Sequence, residues 1–307
     1  MDPHVLPPQA ASPPLSPDTR APSTEPLARR IAEIEARARP KALAVAMGDL
    51  GSGVRFRYHA DRWFHAASTI KVAILVGVYA EIHRGALLPQ SRVHVRNRFR
   101  SAWDGTPFRI ASERDANAAV HAHVGSTMRV SELALHMIAT SSNLATNLLL
   151  DVVGLETVQQ ALEALGVGGV DVRRGVEDER AFEHDLNNRV TAEGLASLLR
   201  TVADGKAFSP AISRQMVDVL HEQEFKNGIP ARLPKGVRVA HKTGEISTVA
   251  HDAGIVYPPD RAPYVLVVLP EWAPDDSGRS ATIAEVSRAI YEFLHQVPGE
   301  RREDPRA

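Results

Sequence analysis

The sequence predicts an α+β protein in which one antiparallel sheet is formed from both chain ends and carries flanking helices, with an all-helical domain inserted between its two halves. Three observations carry this prediction. Runs rich in β-branched and apolar residues, bounded by turn residues, lie near the two ends, at about 42–59 and 236–269. Between residues 130 and 224 apolar residues recur at helical spacing. Residues 72–79, Val-Ala-Ile-Leu-Val-Gly-Val-Tyr, are apolar on every side yet too few to cross a bilayer, which reads as a helix buried in a globular domain.

Residues 1–26 hold eight prolines among Ser, Thr and Asp and read as a disordered tail. They lack the basic start and apolar stretch of a secretory signal, so the sequence leaves the compartment open. An amphipathic helix follows over about 26–38, with Leu27, Ile31 and Ile34 on one face. Strands 42–49 and 54–59 flank the Gly-containing connection Leu50-Gly51-Ser52-Gly53. The apolar helix spans 66–81, and the basic segment from 90 to 123 reads as an irregular excursion.

Helices are predicted over 131–139, 143–153, 155–165, 191–203 and 210–224, with Thr191 and Ser209 as N-caps and Pro210 at a first helical position. Strands resume at 236–243, 254–257 and 264–269, the last two separated by Pro258-Pro259-Asp260, and a helix runs over 281–295. The expected domains are a discontinuous sheet domain, 27–66 with 236–296, and a helical domain, 67–235. Residues 297–307 read as a charged tail.

Composition is that of an ordinary globular protein: 307 residues, 44% hydrophobic, 24% charged, net charge -1. No basic footprint for nucleic acid and no membrane-spanning helix is visible. The absence of cysteine rules out disulfides, thiol nucleophiles and Cys-ligated metals. No cofactor or metal is expected, and the chain reads as a monomer.

Chemistry concentrates at Ser68-Thr69-Ile70-Lys71. Three residues apart on a helix, the hydroxyl and the amine share a face, and the free N–H groups of the helix start favour negative charge developing near Ser68. The alternative reading is a helix cap beside a solvated lysine. Lysine usage argues against it: 6 Lys stand against 30 Arg, and Lys71 alone follows a Ser at this spacing. Proton exchange near neutral pH needs an amine, because a guanidinium stays protonated.

Ser141-Ser142-Asn143 offers a hydroxyl and a carboxamide on a loop between two helices, and His241-Lys242-Thr243-Gly244 ends a strand in an amine, a hydroxyl and a glycine. Each alone is explained by capping or turn formation. In this order and these contexts the three together match the S-x-x-K, S-D-N and K-T-G set.

From about residue 27 to 296 the chain therefore resembles class A β-lactamase-type serine hydrolases of the β-lactamase and penicillin-binding protein superfamily, with their β-lactamase/transpeptidase-like fold. The resemblance implies acylation of Ser68, with Lys71 as its proton partner and Ser141 as a proton shuttle to the leaving nitrogen. It implies that Asn143 holds the substrate's amide side chain and that Lys242 and Thr243 face the substrate carboxylate. The oxyanion would sit between the N–H groups of Ser68 and Glu245. A second ammonium at Lys242 would lower the pKa of Lys71. The substrate would be a β-lactam or a D-alanyl peptide, and family members are periplasmic or secreted.

Several positions depart from the family pattern. Ser142 stands where the family has a loop-supporting aspartate. Glu245 is a carboxylate beside the oxyanion site, and His251 lies where an arginine often faces the substrate carboxylate. The family's E-x-x-L-N string, which activates the deacylating water, matches Glu183-His184-Asp185-Leu186-Asn187, with His184 in place of a common proline. Glu183 lies only eight residues before Thr191, in an acidic stretch where a solvated turn is the other reading, and Glu177 and Glu179 are the alternative carboxylates.

His121-x-His123 lacks a third ligand at metal-site spacing and reads as surface, and no serine carries a G-x-S-x-G context. Three functions stay open: a β-lactamase, a D-alanyl peptidase or esterase of the same superfamily, and a penicilloyl-binding or sensing module with little turnover.

Overall fold

The computed structural model describes residues 22–297 apart from 117, 275 and 277, so the expected charged tail beyond Val297 and most of the Pro-rich tail lie outside the described residues. Helix α1 (Glu25–Ala38) leads into strands β1 (Ala42–Asp49) and β2 (Arg55–Tyr58). A short strand β3 (Trp63–His65) and a 3-10 turn, Ala67–Ile70, precede α2 (Lys71–His83). The excursion contains four strands of two or three residues: β4 (Arg92–His94), β5 (Phe99–Arg100), β6 (Pro107–Phe108) and β7 (Thr127–Arg129).

Helices α3 (Val130–Ala139), α4 (Asn143–Val153) and α5 (Leu155–Ala164) follow. A loop then carries β8 (Val170–Asp171), the one-turn helix α6 (Glu179–Glu183) and β9 (Arg189–Thr191) before α7 (Ala192–Ala203) and α8 (Pro210–His221). Strands β10 (Arg238–Ile246), β11 (Val249–Tyr257) and β12 (Tyr264–Glu271) and helix α9 (Arg279–Gln296) complete the described chain.

The expected α+β architecture is the one observed. The main sheet has the order β10-β11-β12-β1-β2, every pair antiparallel, and β1 joins the two chain ends by pairing with β12 from Ala42 opposite Glu271 to Asp49 opposite Tyr264. Alternation along β1 sorts its side chains between two cores. Leu43, Val45 and Met47 pack with Leu27 and Ile31 of α1 and Val286 and Ile290 of α9. Ala44 and Ala46 face the opposite way, into a core shared with Leu195, Leu198 and Leu199 of α7 and with the apolar side chains of α2 from Val72 to Ala80. The sheet and the inserted helices are thus joined by one continuous apolar cluster.

Every residue of α2 from Lys71 to Ala80 is buried, as its all-round apolar character demands. Gly77 lets α5 come close: a Cβ there would lie 2.6 Å from Val158 Cγ2. Two other details differ from the sequence reading. Ser68 lies on the 3-10 turn rather than in the first α-helical turn, although residues three apart eclipse there and still share a face. Strands β10 and β11 are longer than predicted and meet in a two-residue hairpin, Ile246 opposite Val249. The polar run His251-Asp252 hid this continuation, and both side chains are buried within β11.

Candidate active site

The strand β10, the 3-10 turn and the loop between α3 and α4 converge on Ser68. The backbone is tight at each approach. Ala67 has φ 45° and Ser141 φ 59°, a region that L-residues occupy at a cost and that is concentrated at functional sites. Gly244 crosses directly over the turn, where an added Cβ would come within 3.0 Å of Ser68 N and 2.9 Å of Thr69 N. Only a glycine lets the K-T-G strand approach this closely.

Lys71 is fully buried, and its Nζ donates to Ser141 O at 2.7 Å, Ser141 Oγ at 3.0 Å and Asn143 Oδ1 at 2.8 Å. The amine is therefore anchored to the Ser-Ser-Asn loop, and no hydrogen bond to Ser68 is present among the described residues. Burial pulls its pKa down to about 7, against the opposing influence of Asp115 and Glu177. The two ammonium groups also repel each other: Lys242, itself fully buried, is held well below the ordinary lysine range first by burial and then by Lys71, with Asp252 opposing.

Lys242 Nζ donates to Thr243 O at 2.9 Å. Beneath it the side chains of His241 and Asp252, both inaccessible, meet with Nδ1 2.9 Å from Oδ1, and the other carboxylate oxygen of Asp252 accepts Ile229 N at 2.8 Å. This pair, which the sequence did not reveal, locks β10 to β11 at the K-T-G position. His251 is neutral: burial pushes its pKa down to about 3, and its Nε2 lies 3.1 Å from His65 O. It offers no charge for a substrate carboxylate. The Glu245 carboxylate is exposed and turned toward Arg279, 3.8 Å away.

Ser68 borders two cavities. One, of about 230 Å³, is lined by Ser141, Asn143, Thr243, Gly244 and His251. The other, of about 770 Å³, is lined by Asn143, Arg174, Glu177, Phe182, Glu183 and Glu245. The loop bounding the second is fastened at two asparagines. Asn147 accepts Val176 N at 2.8 Å and donates to Val176 O at 2.9 Å. Asn188 accepts Arg173 N at 2.7 Å and Arg174 N at 3.1 Å and donates to Arg174 O at 3.0 Å.

This fastening holds the chain beside Glu177, whose carboxylate reaches Asn143. Glu177, next to the clamped Val176, points inward with Oε1 3.4 Å from Asn143 Nδ2 and Oε2 2.8 Å from Arg114 Nε. Glu183 lies exposed at the end of α6, on the cavity rim. Asn187 turns away to accept from Arg174 Nη2 at 3.0 Å and to donate to Asp185 Oδ1 at 3.2 Å. Among the described residues no hydrogen bond links Glu183, in the last position of α6, to Asn187. Glu179 is exposed and paired with Arg114.

The excursion is a strap over this loop. Ala102 N donates to the buried Asp178 at 2.8 Å, Arg180 pairs with Asp104 at 2.5 Å, and Trp103 stacks on His184 with ring centres 4.2 Å apart. His121, expected to be a surface residue, instead places Nε2 3.2 Å from Asp115. Among the described residues no three His, Asp or Glu side chains converge as metal ligands, and no helix is long and apolar enough to cross a membrane.

Residues 26–294 match the model of the beta-lactamase enzyme family. Beta-lactamase L2 of Stenotrophomonas maltophilia is 29% identical over 255 residues, covering 80% of this chain and 78% of that protein. The fold superposes on an ancestral class A beta-lactamase with TM-score 0.75 and 30% identity, over 87% of this chain and 99% of that one. A substituted variant of PBP-A, solved as an acyl-enzyme complex with penicillin G, gives TM-score 0.75 and 26% identity over 89% and 97% of the two chains. With the serine, the two buried lysines and the Ser-Ser-Asn loop assembled around one cleft, and with the family match spanning that whole assembly, the chain belongs to the beta-lactamase enzyme family.

Proposed function

We propose that the protein is a serine hydrolase, acylated at Ser68, that opens the β-lactam amide. The observation that carries this reading is the buried amine of Lys71, three residues beyond the serine it serves, bonded to Ser141 Oγ at 3.0 Å and with its pKa pulled down by burial to about 7. Unprotonated, Lys71 takes the Ser68 Oγ proton as the oxygen attacks the lactam carbonyl. The N–H groups of Ser68 and Glu245 receive the oxyanion, a contribution of about 3 kcal/mol per donor in comparable sites. As the C–N bond breaks, Ser141 passes its proton to the leaving nitrogen and is reprotonated from Lys71. Lys242 and Thr243 receive the substrate carboxylate, and Asn143 takes its amide side chain. All these groups come from one chain, so the reaction as proposed needs no residue from a second subunit.

Release of the acyl group needs an activated water, and Glu177 is the carboxylate best disposed to hold it, in place of Glu183. Its pairing with Arg114 restrains it, which favours a second reading: acylation that outlives turnover, as in a penicilloyl-binding module. The substituted PBP-A captured with penicillin G is consistent with that reading. Mixing the protein with a chromogenic cephalosporin separates the two. Steady hydrolysis far beyond one equivalent supports the β-lactamase, whereas a burst of one equivalent followed by near arrest supports the binding module. A burst followed by arrest, together with cleavage of a D-alanyl peptide, would point to the peptidase.

A further inference from the structure

We infer that Asp115 is a positioning residue for acylation: from the strap, 27 residues before Ser142, its carboxylate holds the Ser-Ser-Asn loop in register against Lys71. The side chain is inaccessible to solvent. Oδ1 accepts Asn143 N at 2.8 Å, and Oδ2 accepts Leu144 N at 3.1 Å and Ser142 Oγ at 3.0 Å, with His121 Nε2 3.2 Å away. A buried carboxylate is tolerated only when its oxygens are satisfied, and here each faces a donor. Two of those donors are free N–H groups of the first turn of α4, where the helix dipole also favours negative charge.

The residues flanking this anchor are the ones that bind the amine. Asn143, held at its N–H by Asp115, accepts Lys71 Nζ at its Oδ1, and Ser141, on the other side of Ser142, accepts it at two oxygens in a left-handed backbone conformation. Asp115 touches no substrate position. It acts through Ser141 and Asn143, and through its charge on Lys71, which Glu177 from the neighbouring loop shares and Lys242 from β10 opposes in sign; His121 faces Asp115 itself.

Ser142 is matched to this arrangement. Its hydroxyl donates to Asp115 and accepts Ala145 N at 3.2 Å, a pairing that a carboxylate at 142 could not make against a second carboxylate 3.0 Å away. Positions 115 and 142 therefore share one negative charge. Relocating that charge should preserve the site, while doubling or deleting it should not.

The inference rests on acylation of Ser68, and the experiment is the second-order rate of penicillin acylation as a function of pH, read by intact mass. Four proteins are compared: the unaltered chain, Asp115→Asn, Ser142→Asp, and the double variant. Losing charged hydrogen bonds should slow Asp115→Asn about tenfold or more, and its rate-controlling limb should move to lower pH because a negative charge near Lys71 is gone. Ser142→Asp alone should also be slow, and the double variant should regain both the rate, to within about threefold, and the limb. A merely structural cap would lower the rate equally at every pH.

An unmoved limb in Asp115→Asn, or a double variant no better than the single ones, overturns the inference. If Asp115→Asn fails to fold, the double variant still decides: folding with near-normal acylation supports the shared charge, and failure to fold overturns it. An unaltered chain that neither gains an adduct nor hydrolyses penicillin contradicts the proposed function instead.

Discussion

Lys71 Nζ lies 2.8 Å from Asn143 Oδ1, so the buried amine of α2 is tied to a residue 72 positions away. The tie keeps an amine, stripped of water, against Ser141 and Asn143. With its pKa near 7 the neutral, reactive form gains population as pH rises through that value. Acylation by penicillin should therefore climb with pH and level off above about 8. Lys71→Arg, whose guanidinium stays protonated, should slow acylation by about 10²-fold or more at every pH. A flat profile between pH 5.5 and 8.5 in the unaltered protein contradicts the assignment of Lys71 as the base.

Gly244→Val probes the oxyanion site. The new side chain would press on Ser68 N and Thr69 N, forcing β10 away from the turn. Loss of one oxyanion donor costs about 10²- to 10³-fold, and acylation should fall by that order. Because the residue lies at the cleft rather than inside either apolar core, the thermal midpoint should move much less than for a core substitution. Acylation within threefold of normal would place the oxyanion elsewhere.

The three-motif constellation was legible because S-x-x-K, S-x-N and K-T-G bind chemistry to short spacing, and because α2 announces itself by being apolar all round. Asp115, Asn147 and Asp252 were not, since each works through a partner distant in sequence and carries no local pattern of its own. The excursion escaped reading for a different reason. Strands of two or three residues and single 3-10 turns, such as Phe99–Arg100 or His121–His123, show no periodicity. At Glu183 the string match and the geometry point to different carboxylates: the clamp of Asn147 on Val176 fixes the chain beside Glu177, whose carboxylate lies 3.4 Å from Asn143 Nδ2.

Lys242→Ala should weaken reaction with anionic substrates by about 10- to 100-fold while changing that with neutral esters little, because a charged hydrogen bond to the substrate carboxylate is lost. Parallel rates on a penicillin and on an uncharged thioester check this. Equal losses on both would make Lys242 a structural support for β10 and nothing more.

Glu177→Gln should leave acylation intact and lengthen the life of the acyl-enzyme by about 10²- to 10⁴-fold, if the carboxylate serves as the deacylation base. Glu183→Gln, altered on the exposed rim, should turn over at the normal rate. Time courses of adduct decay after removal of excess penicillin distinguish them. A longer-lived adduct in Glu183→Gln but not in Glu177→Gln would return the role to the E-x-x-L-N string.

The most direct measurement is the intact mass of the protein after brief exposure to penicillin G, followed by digestion to locate the adduct. Acylation of Ser68 predicts a mass gain of one whole penicillin, confined to the peptide that contains Ser68 and absent from Ser68→Ala. An adduct that persists in Ser68→Ala, or maps to any other peptide, would contradict the account at its centre.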